Sequence, residues 1–265
     1  MSILPINPKN PDKFIINQAV KILRAGGILV YPTDTAYALG GKFNSPKVIK
    51  KILRIKKRRD EKFTLIASSL SQVRRFFKLN LVQLRLAKKY WPGALSIVVS
   101  RRFAVRVPAL KIARALAEGA GAPLIATSAN VSGEKTPYRI DEFLVSDGQT
   151  PPIPPLSKGG KKKGKTPYAV GDVLREQKGK WGKTYKTYKS DKLKSSVGED
   201  TNRQHLGVDL VLDAGRLPIK KTSTVVKVFG DKIEVVREGT VKVDQADKSY
   251  RSYKTDKTNR LIRRI

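Results

Sequence analysis

The sequence predicts an α/β fold built around a largely buried sheet, and two observations carry this prediction. From residue 10 to about residue 144, segments with helical hydrophobic periodicity alternate with the short apolar runs that are typical of buried strands. The chain has 265 residues, of which 40% are hydrophobic, and this is enough apolar material for one sizeable core. We therefore expect one α/β domain with additional polar segments.

The first two helices are predicted from their capping residues. Asn10-Pro11 is expected to cap and open the first helix, and Gly26-Gly27 to end it. Its core-facing stripe follows the helical period and consists of Ile15, Ala19, Ile22 and Leu23. Residues 28–31 then form a buried strand. A second helix begins at Ser45-Pro46 and runs into the basic stretch at 56–59.

The remaining elements follow from the same two periodicities. Helices are expected over residues 70–77, 81–90 and 112–117. Strands are expected over residues 63–67, 95–99, 103–107, 123–126, 208–212, 224–229 and 233–236. The last two strands form a hairpin across Gly230-Asp231, and strand 123–126 delivers the loop at 127–130.

Residues 145–206 differ in character from the rest of the chain. They are rich in Pro, Gly, Lys and Ser, and residues 150–206 contain 14 basic and 5 acidic residues. Their apolar residues show no period, so we predict a disordered, low-complexity basic insertion. Residues 242–265 have a similar composition and are expected to form a basic tail. The predicted folded domain is therefore discontinuous and consists of residues 1–144 and 207–241.

Composition excludes several classes of site. The chain has no cysteine, so disulfides, thiolate catalysis and Cys-ligated zinc or iron–sulfur centres are excluded. The one histidine, His205, lies in a polar stretch with no nucleophile-elbow pattern, which argues against a catalytic triad and against His-rich metal sites. We expect no protein-ligated metal. No P-loop or Rossmann glycine motif occurs, so a nucleotide would have to bind differently.

The charge balance points to anionic partners. The formal net charge is +33, which favours RNA, phosphorylated ligands or an acidic protein surface. No apolar run approaches the roughly 18 to 20 residues that span a bilayer, and the first residues lack the layout of a signal peptide. We therefore expect a cytoplasmic protein without a membrane partner.

Several polar clusters lie where predicted elements end, which is where α/β sheets place ligands. Each has an alternative structural explanation. The segment at 31–35 is compatible with a polar ligand or cation, or with ordinary turn chemistry. Lys56 and Arg58 are compatible with phosphate binding or with a solvated basic face. Ser128 and Asn130 are compatible with a ligand or with a turn or helix cap.

Taken in order, the clusters resemble the motifs of one family. They read G-G-I-L-V-Y-P-T-D-T-A-Y-A-L-G at 26–40, I-K-K-R at 55–58, W-P-G-A-L-S at 91–96, V-R-V-P at 105–108, T-S-A-N-V-S-G at 127–133 and S-T-V-V at 223–226. This set is similar to the YrdC/Sua5 family of L-threonylcarbamoyladenylate synthases. The resemblance covers about two-thirds of the chain and excludes the insertion and the tail.

The resemblance implies a fold and an activity. The fold is a twisted mixed sheet with flanking helices around an open, basic cavity. The activity, a nucleotidyl transfer, condenses L-threonine, bicarbonate and ATP, accompanied by Mg²⁺, to threonylcarbamoyl-AMP and pyrophosphate. The product serves the N6-threonylcarbamoyl modification of adenosine 37 in tRNA, so tRNA and the threonylcarbamoyl-transferase machinery are implied partners. We expect the short, single-domain form of the family.

The resemblance also assigns residues. The tetrad associated with catalysis and the nucleotide phosphates is matched by Lys56, Arg58, Ser128 and Asn130. Further ATP contacts are implied for Ser96, Thr136 and Arg237. Threonine contacts are implied for Thr33, Thr35, Arg106, Ala126 and Ser223.

Two alternatives keep the same fold. The segment K-F-T-L-I at 62–66 is similar to the YciO branch of the superfamily, whose members need not be efficient synthases. A double-stranded RNA or tRNA-binding module without synthase activity would also use a basic concavity. The hydroxyl and amide side chains favour the enzyme, because gripping phosphates alone requires only Lys and Arg.

Overall fold

The computed structural model describes residues 2–145 and 207–243. The predicted disordered insertion and the predicted basic tail lie outside these residues, apart from their first one or two positions. None of the helices in the described part of the chain is long and apolar enough to cross a membrane.

The described residues confirm a mixed α/β fold. The helices are α1 Lys13–Arg24, α2 Pro46–Ile55, α3 Leu70–Phe76, α4 Leu81–Tyr90, α5 Lys111–Gly119 and α6 Ile140–Val145. The strands are β1 Ser2–Pro5, β2 Leu29–Pro32, β3 Tyr37–Gly40, β4 Phe63–Ile66, β5 Leu95–Val98, β6 Phe103–Arg106, β7 Leu124–Ile125, β8 Thr127–Ser128, β9 Leu210–Asp213, β10 Thr224–Phe229 and β11 Lys232–Arg237.

The strands form two mixed sheets. The first has the order β1-β9-β2-β3-β8, with β9 parallel to both β1 and β2 and with antiparallel pairing from β2 onward. The second has the order β11-β10-β5-β6-β4-β7, in which antiparallel and parallel pairs alternate. The chain passes from the second sheet to the first between β7 and β8, within three residues.

A glycine allows the two sheets to approach each other at this crossing. A Cβ added to Gly40 in β3 would lie 1.7 Å from the carbonyl oxygen of Ile125 in β7. The Tyr31 hydroxyl donates to the same carbonyl at 3.0 Å. Since a Cβ at that distance would overlap the carbonyl outright, position 40 requires glycine. This contact fixes the β7–β8 segment, which carries part of the site.

Helices cover the sheets through three apolar clusters. Helices α1 and α5 pack over β2 and β9, helix α2 packs against β3 and β4, and helix α4 packs against β5 and β10. The buried stripe of α1 is rotated by one residue from the predicted one, because Ile16 and Val20 are buried whereas Ile15 and Ile22 are only half-buried.

Several boundaries differ from the predictions. Asn10 is not the cap of α1, because Asn7 holds a turn over residues 7–10 and Asp12 accepts from the Phe14 amide at 2.6 Å. Four short elements were not predicted: β1, β3, β8 and α6. Each has six residues or fewer, so its periodicity is too brief to identify it.

Candidate active site

A cavity of about 410 Å³ lies where the two sheets meet. Pockets for small molecules and cofactors typically measure about 300 to 1,000 Å³. Eleven of the twelve site residues assigned by resemblance line this cavity, and the twelfth, Ser96, bonds to one of them. The lining residues lie far apart in the sequence, from Thr33 to Arg237, so both sheets must fold before the cavity is assembled.

Lys56 forms the centre of one group, which we call the lysine cluster and which comprises Lys56, Arg58, Ser128 and Asn130. Lys56 is 3% exposed. Its Nζ donates to the carbonyl oxygens of Ser128 at 2.9 Å and Asn130 at 2.6 Å, and to the Asn130 Oδ1 at 2.9 Å. The Ser128 hydroxyl donates to the same Oδ1 at 2.5 Å. The surface-face explanation is therefore wrong for Lys56.

The end of helix α2 presents this cluster. Ser45 caps the helix start, and Lys56 is the C-cap residue. Lys57 then adopts a left-handed conformation with φ of 48°, which is the usual way for a helix to end. The reversal leaves Lys57 and Arg59 exposed while Lys56 and Arg58 both line the cavity.

Burial changes the protonation of Lys56. Desolvation, followed by the nearby positive charge of Arg58, lowers the pKa of the Lys56 ammonium to about 8. Within residues 2–145 and 207–243, no carboxylate oxygen accepts a hydrogen bond from its Nζ, and the four acceptors within 3.4 Å are neutral oxygens. An anion entering the cavity would favour the protonated form.

Arg58 is oriented by its own loop. Its Nε donates to the Asp60 carbonyl at 2.6 Å, and its Nη2 donates to the Lys62 carbonyl. The guanidinium also lies 5.1 Å from the centre of the Phe63 ring. These contacts hold the side chain, 25% exposed, at the cavity wall.

The loop between β2 and β3 forms a second wall. The Thr33 hydroxyl donates to the Ala36 carbonyl at 2.7 Å and accepts from the Ala36 amide at 3.2 Å. The turn explanation is therefore confirmed for Thr33, although the residue also lines the cavity. Thr35 accepts from the Nη2 of Arg106 at 3.2 Å.

Arg106 ends strand β6 and is 4% exposed. Its Nη1 donates to Asp34 Oδ1 at 2.5 Å, and Asp34 Oδ2 accepts from the Ala109 amide at 3.1 Å. The ion pair joins the β2–β3 loop to the end of β6, across 72 residues.

A third group comprises Ser96, Ser223 and Arg237. Ser96 donates to the Ser223 hydroxyl at 3.0 Å, and Arg237 Nη2 donates to the same hydroxyl at 3.1 Å. Arg237 also donates to the Ser223 carbonyl at 2.9 Å. Partial burial, followed by the charge of Arg106, lowers the pKa of the Arg237 guanidinium.

Ala126 and Thr136 complete the set predicted by resemblance. Ala126 lies in the crossing segment, where its amide donates to the Thr64 carbonyl at 2.8 Å. Thr136 lies between β8 and α6 and is half-buried. Both line the cavity.

Sequence reasoning missed several lining residues and one supporting carboxylate. Lys62, Thr64 and Thr222 line the cavity, and Asp34 holds Arg106. Thr64 carried a signal, since it is the polar residue of the otherwise apolar strand FTLI. The role of Asp34 carried none, because its partner is remote in sequence.

The described lining residues of the cavity include cations and no acidic residue. Five cations line it, namely Lys56, Arg58, Lys62, Arg106 and Arg237, and no Asp or Glu among the described residues does so. In the same part of the chain, no group of three or more His, Cys, Asp or Glu side chains could hold a metal ion.

Comparison with known proteins identifies the family of this chain. The family model for Sua5, YciO and YrdC proteins, described as "Telomere recombination", matches residues 21–149. The chain is 37% identical over 158 residues to the uncharacterized protein YciO of Escherichia coli (strain K12), covering 52% of this chain and 77% of YciO. The chain belongs to the Sua5/YciO/YrdC family. It is also 34% identical over 134 residues to the threonylcarbamoyl-AMP synthase of Psychromonas ingrahamii, covering 44% of this chain and 70% of the synthase.

Solved structures of the Sua5/YciO/YrdC family share the fold. The crystal structure of E. coli YciO superposes with a TM-score of 0.61 at 28% identity, covering 90% of this chain and 96% of YciO. P. abyssi Sua5 complexed with L-threonine superposes with a TM-score of 0.62 at 21% identity, covering 90% of this chain. This chain spans 58% of the length of that Sua5.

Proposed function

We propose that this protein is an L-threonylcarbamoyladenylate synthase. The observation that carries the proposal is the cavity of about 410 Å³, which combines five cations with hydroxyl and amide groups and contains no lining carboxylate among the described residues. This lining suits a ligand that carries phosphates and a polar organic part. The threonylcarbamoyl-AMP synthase name of a relative 34% identical to the chain supports the same reaction.

The proposed reaction has two steps. The threonine amine attacks the bicarbonate carbon, and loss of water leaves an N-carboxylate. A carboxylate oxygen then attacks the α-phosphorus of ATP, the bond to the β-phosphate oxygen breaks, and pyrophosphate leaves. These steps need positioned reactants and neutralised phosphate charge more than an activated side chain.

The side chains divide between the reactants. In this proposal the lysine cluster takes the phosphates, and Thr136 and Arg237 also contact ATP. Ser96, which the resemblance assigns to ATP, is fully buried and does not line the cavity, so it acts through its hydrogen bond to Ser223. Thr33, Thr35, Arg106, Ala126 and Ser223 contact threonine. Residues 1–144 and 207–241 would form the unit that carries these groups, and the product would be passed to the tRNA-modifying machinery.

Magnesium enters this proposal as part of the substrate. The cavity offers hydroxyl and amide oxygens but no carboxylate among its described lining residues, so the donor set does not fit a resident Mg²⁺ site. We propose that Mg²⁺ arrives bound to the ATP phosphates.

A YciO-like function without synthase activity is the second candidate. It is favoured by the identity to YciO, which is 37% over 158 residues. An RNA-binding role without nucleotide chemistry would use the same positive charge and is kept as an outcome of the test.

The test is pyrophosphate release from Mg·ATP by the purified chain, with L-threonine and bicarbonate each supplied or omitted. The synthase predicts release that requires both. Arg58→Ala is expected to lower kcat/KM by about 100-fold, because it removes a positioned cation from the developing phosphate charge.

Arg59→Ala is the matched control. Arg59 follows Arg58 by one residue, carries the same charge, and is exposed outside the cavity, so this variant is expected to stay within about twofold of the parent chain. Pyrophosphate release that does not depend on threonine would refute the synthase function. ATP binding without threonine-dependent turnover would favour the YciO-like candidate. RNA binding without ATP binding would favour the RNA-binding role.

A further inference from the structure

A carboxylate with no part in the proposed chemistry supports the cavity wall. Asp34 Oδ1 accepts from Arg106 Nη1 at 2.5 Å, and its Oδ2 accepts from the Ala109 amide at 3.1 Å. The side chains of Arg106 and Asp34 are 4% and 13% exposed. Asp34 is therefore anchored at both oxygens before any ligand arrives.

Asp34 does not itself line the cavity. Thr33 and Thr35, its two neighbours in the chain, and Arg106 all do. Asp34 therefore reaches Arg106 from outside the wall. Its carboxylate is therefore not part of the surface that a ligand in the cavity would contact.

Arg106 keeps capacity for a further partner. Its Nη2 donates to the Thr35 hydroxyl at 3.2 Å, and its buried Nε has no hydrogen-bond partner among the described residues. A guanidinium has five N–H donors in a fixed fork, and a carboxylate is the ligand that matches the fork best.

We propose that Asp34 is a positioning residue that holds Arg106 in the orientation needed to bind the carboxylate of an amino-acid substrate. The identity of that ligand rests on the proposed function. An arginine side chain on a protein surface samples many rotamers, and ordering it on binding costs affinity. Asp34 and the Ala109 amide order it in advance, so the substrate does not bear that cost.

Two effects of Asp34 oppose each other, and the choice of variants separates them. Its orientation of Arg106 strengthens carboxylate binding, whereas its negative charge weakens it. Asp34→Asn keeps an acceptor for Nη1 and removes the charge, and Asp34→Ala removes both. If positioning dominates, Asp34→Ala raises the KM for L-threonine and Asp34→Asn raises it less. If charge dominates, both variants lower it.

The test measures the KM for L-threonine and for ATP in the full chain, together with L-threonine binding by calorimetry. Asp34→Ala is expected to raise the threonine KM by up to about 100-fold, because a misplacement of about 1 Å can cost that much, and to leave the ATP KM within about twofold. In an Arg106→Ala background, Asp34→Ala should add nothing, because Asp34 acts through Arg106.

Asp209→Ala is the matched control for a purely structural effect. Asp209 also accepts a backbone amide, that of Ile28 at 2.7 Å, and does not line the cavity. We expect it to lower the melting temperature without separating the two KM values. If Asp34→Ala does not fold, Asp34→Asn and its cycle with Arg106→Ala carry the test.

Each result has one consequence. A parent chain that turns over and binds threonine, with unchanged or lowered threonine KM in the Asp34 variants, overturns the role of Asp34 alone. Equal effects on both KM values, or an additive effect in the Arg106→Ala background, also overturn it. A parent chain that neither binds threonine nor releases pyrophosphate refutes the proposed function and, with it, this ligand.

Discussion

Two buried cations face the same cavity, and their surroundings differ. Lys56, 3% exposed, donates to neutral oxygens of Ser128 and Asn130. Arg106, 4% exposed, donates to the carboxylate of Asp34. The charge of Lys56 is solvated by dipoles and remains available to an anion, whereas the charge of Arg106 is largely neutralised. The lysine end therefore suits a polyanion, and the arginine end suits a ligand of lower charge.

The largest expected effect of this difference is on stability. Arg106→Met strands the Asp34 carboxylate, and breaking a buried ion pair from one side costs about 3 to 5 kcal/mol. Lys56→Met leaves neutral oxygens without a donor and is expected to cost about 1 to 3 kcal/mol. Urea unfolding at neutral pH measures both free energies.

The rescue of Arg106→Met sharpens this prediction. Adding Asp34→Asn to it removes the stranded charge, so the double variant should be more stable than Arg106→Met alone. If Lys56→Met and Arg106→Met lose the same free energy of unfolding, the surroundings of the two cations do not differ in their effect on stability. The same follows if Asp34→Asn restores no stability to Arg106→Met.

The sequence predicts where Lys56 lies in the fold but not that it is buried. Lys56 and Arg58 stand at a recognisable helix end, and the helix is observed over Pro46–Ile55 as expected. The burial of Lys56 depends on Ser128 and Asn130, which lie 72 and 74 residues away. Resemblance nevertheless placed all four residues in one tetrad, and the structure brings them together.

Asp34 shows where sequence reasoning stops. The sequence presents it as one residue of a polar segment that is compatible with a ligand, a cation or a turn. Its contact with Arg106 depends on how a loop of one sheet meets a strand of the other. Strand β3 was missed for a related reason, since all four residues of YALG are buried and show no alternation. Local pattern predicts long elements such as α4 but not contacts between sheets.

The second effect concerns pH and tests the lysine end of the cavity. With the Lys56 pKa at about 8, the free protein loses the Lys56 charge as the pH rises above that value. Bound phosphate favours the protonated lysine, so binding takes up a proton and ATP affinity falls as pH rises through the free-state value. Between about pH 7.5 and 9 the fall should be about tenfold.

Titration calorimetry at several pH values measures the expected fall in ATP affinity. Lys56→Met should show a weak affinity that changes little over the same range, and L-threonine affinity should not follow the Lys56 titration. If ATP affinity still falls steeply with pH in Lys56→Met, another group is titrating. The proposed difference between the lysine and arginine sides of the cavity would then be wrong.

The smallest expected effect lies in the backbone that delivers each cation. Arg106 ends a strand, whereas Lys56 precedes Lys57, whose φ is 48°. A side chain in this conformation costs about 1 to 2 kcal/mol that glycine avoids, and the greater freedom of glycine in the unfolded chain offsets part of the gain. Lys57→Gly should therefore raise the free energy of unfolding by about 0.5 to 1 kcal/mol without changing the ATP KM. Arg59→Gly, at a neighbouring exposed position without a positive φ, should lower the free energy of unfolding slightly.

Lys57→Val, which is β-branched, should be destabilising and raise the ATP KM, because the turn would no longer present Lys56 and Arg58 together. If Lys57→Val leaves the ATP KM unchanged, the left-handed turn does not position the lysine cluster.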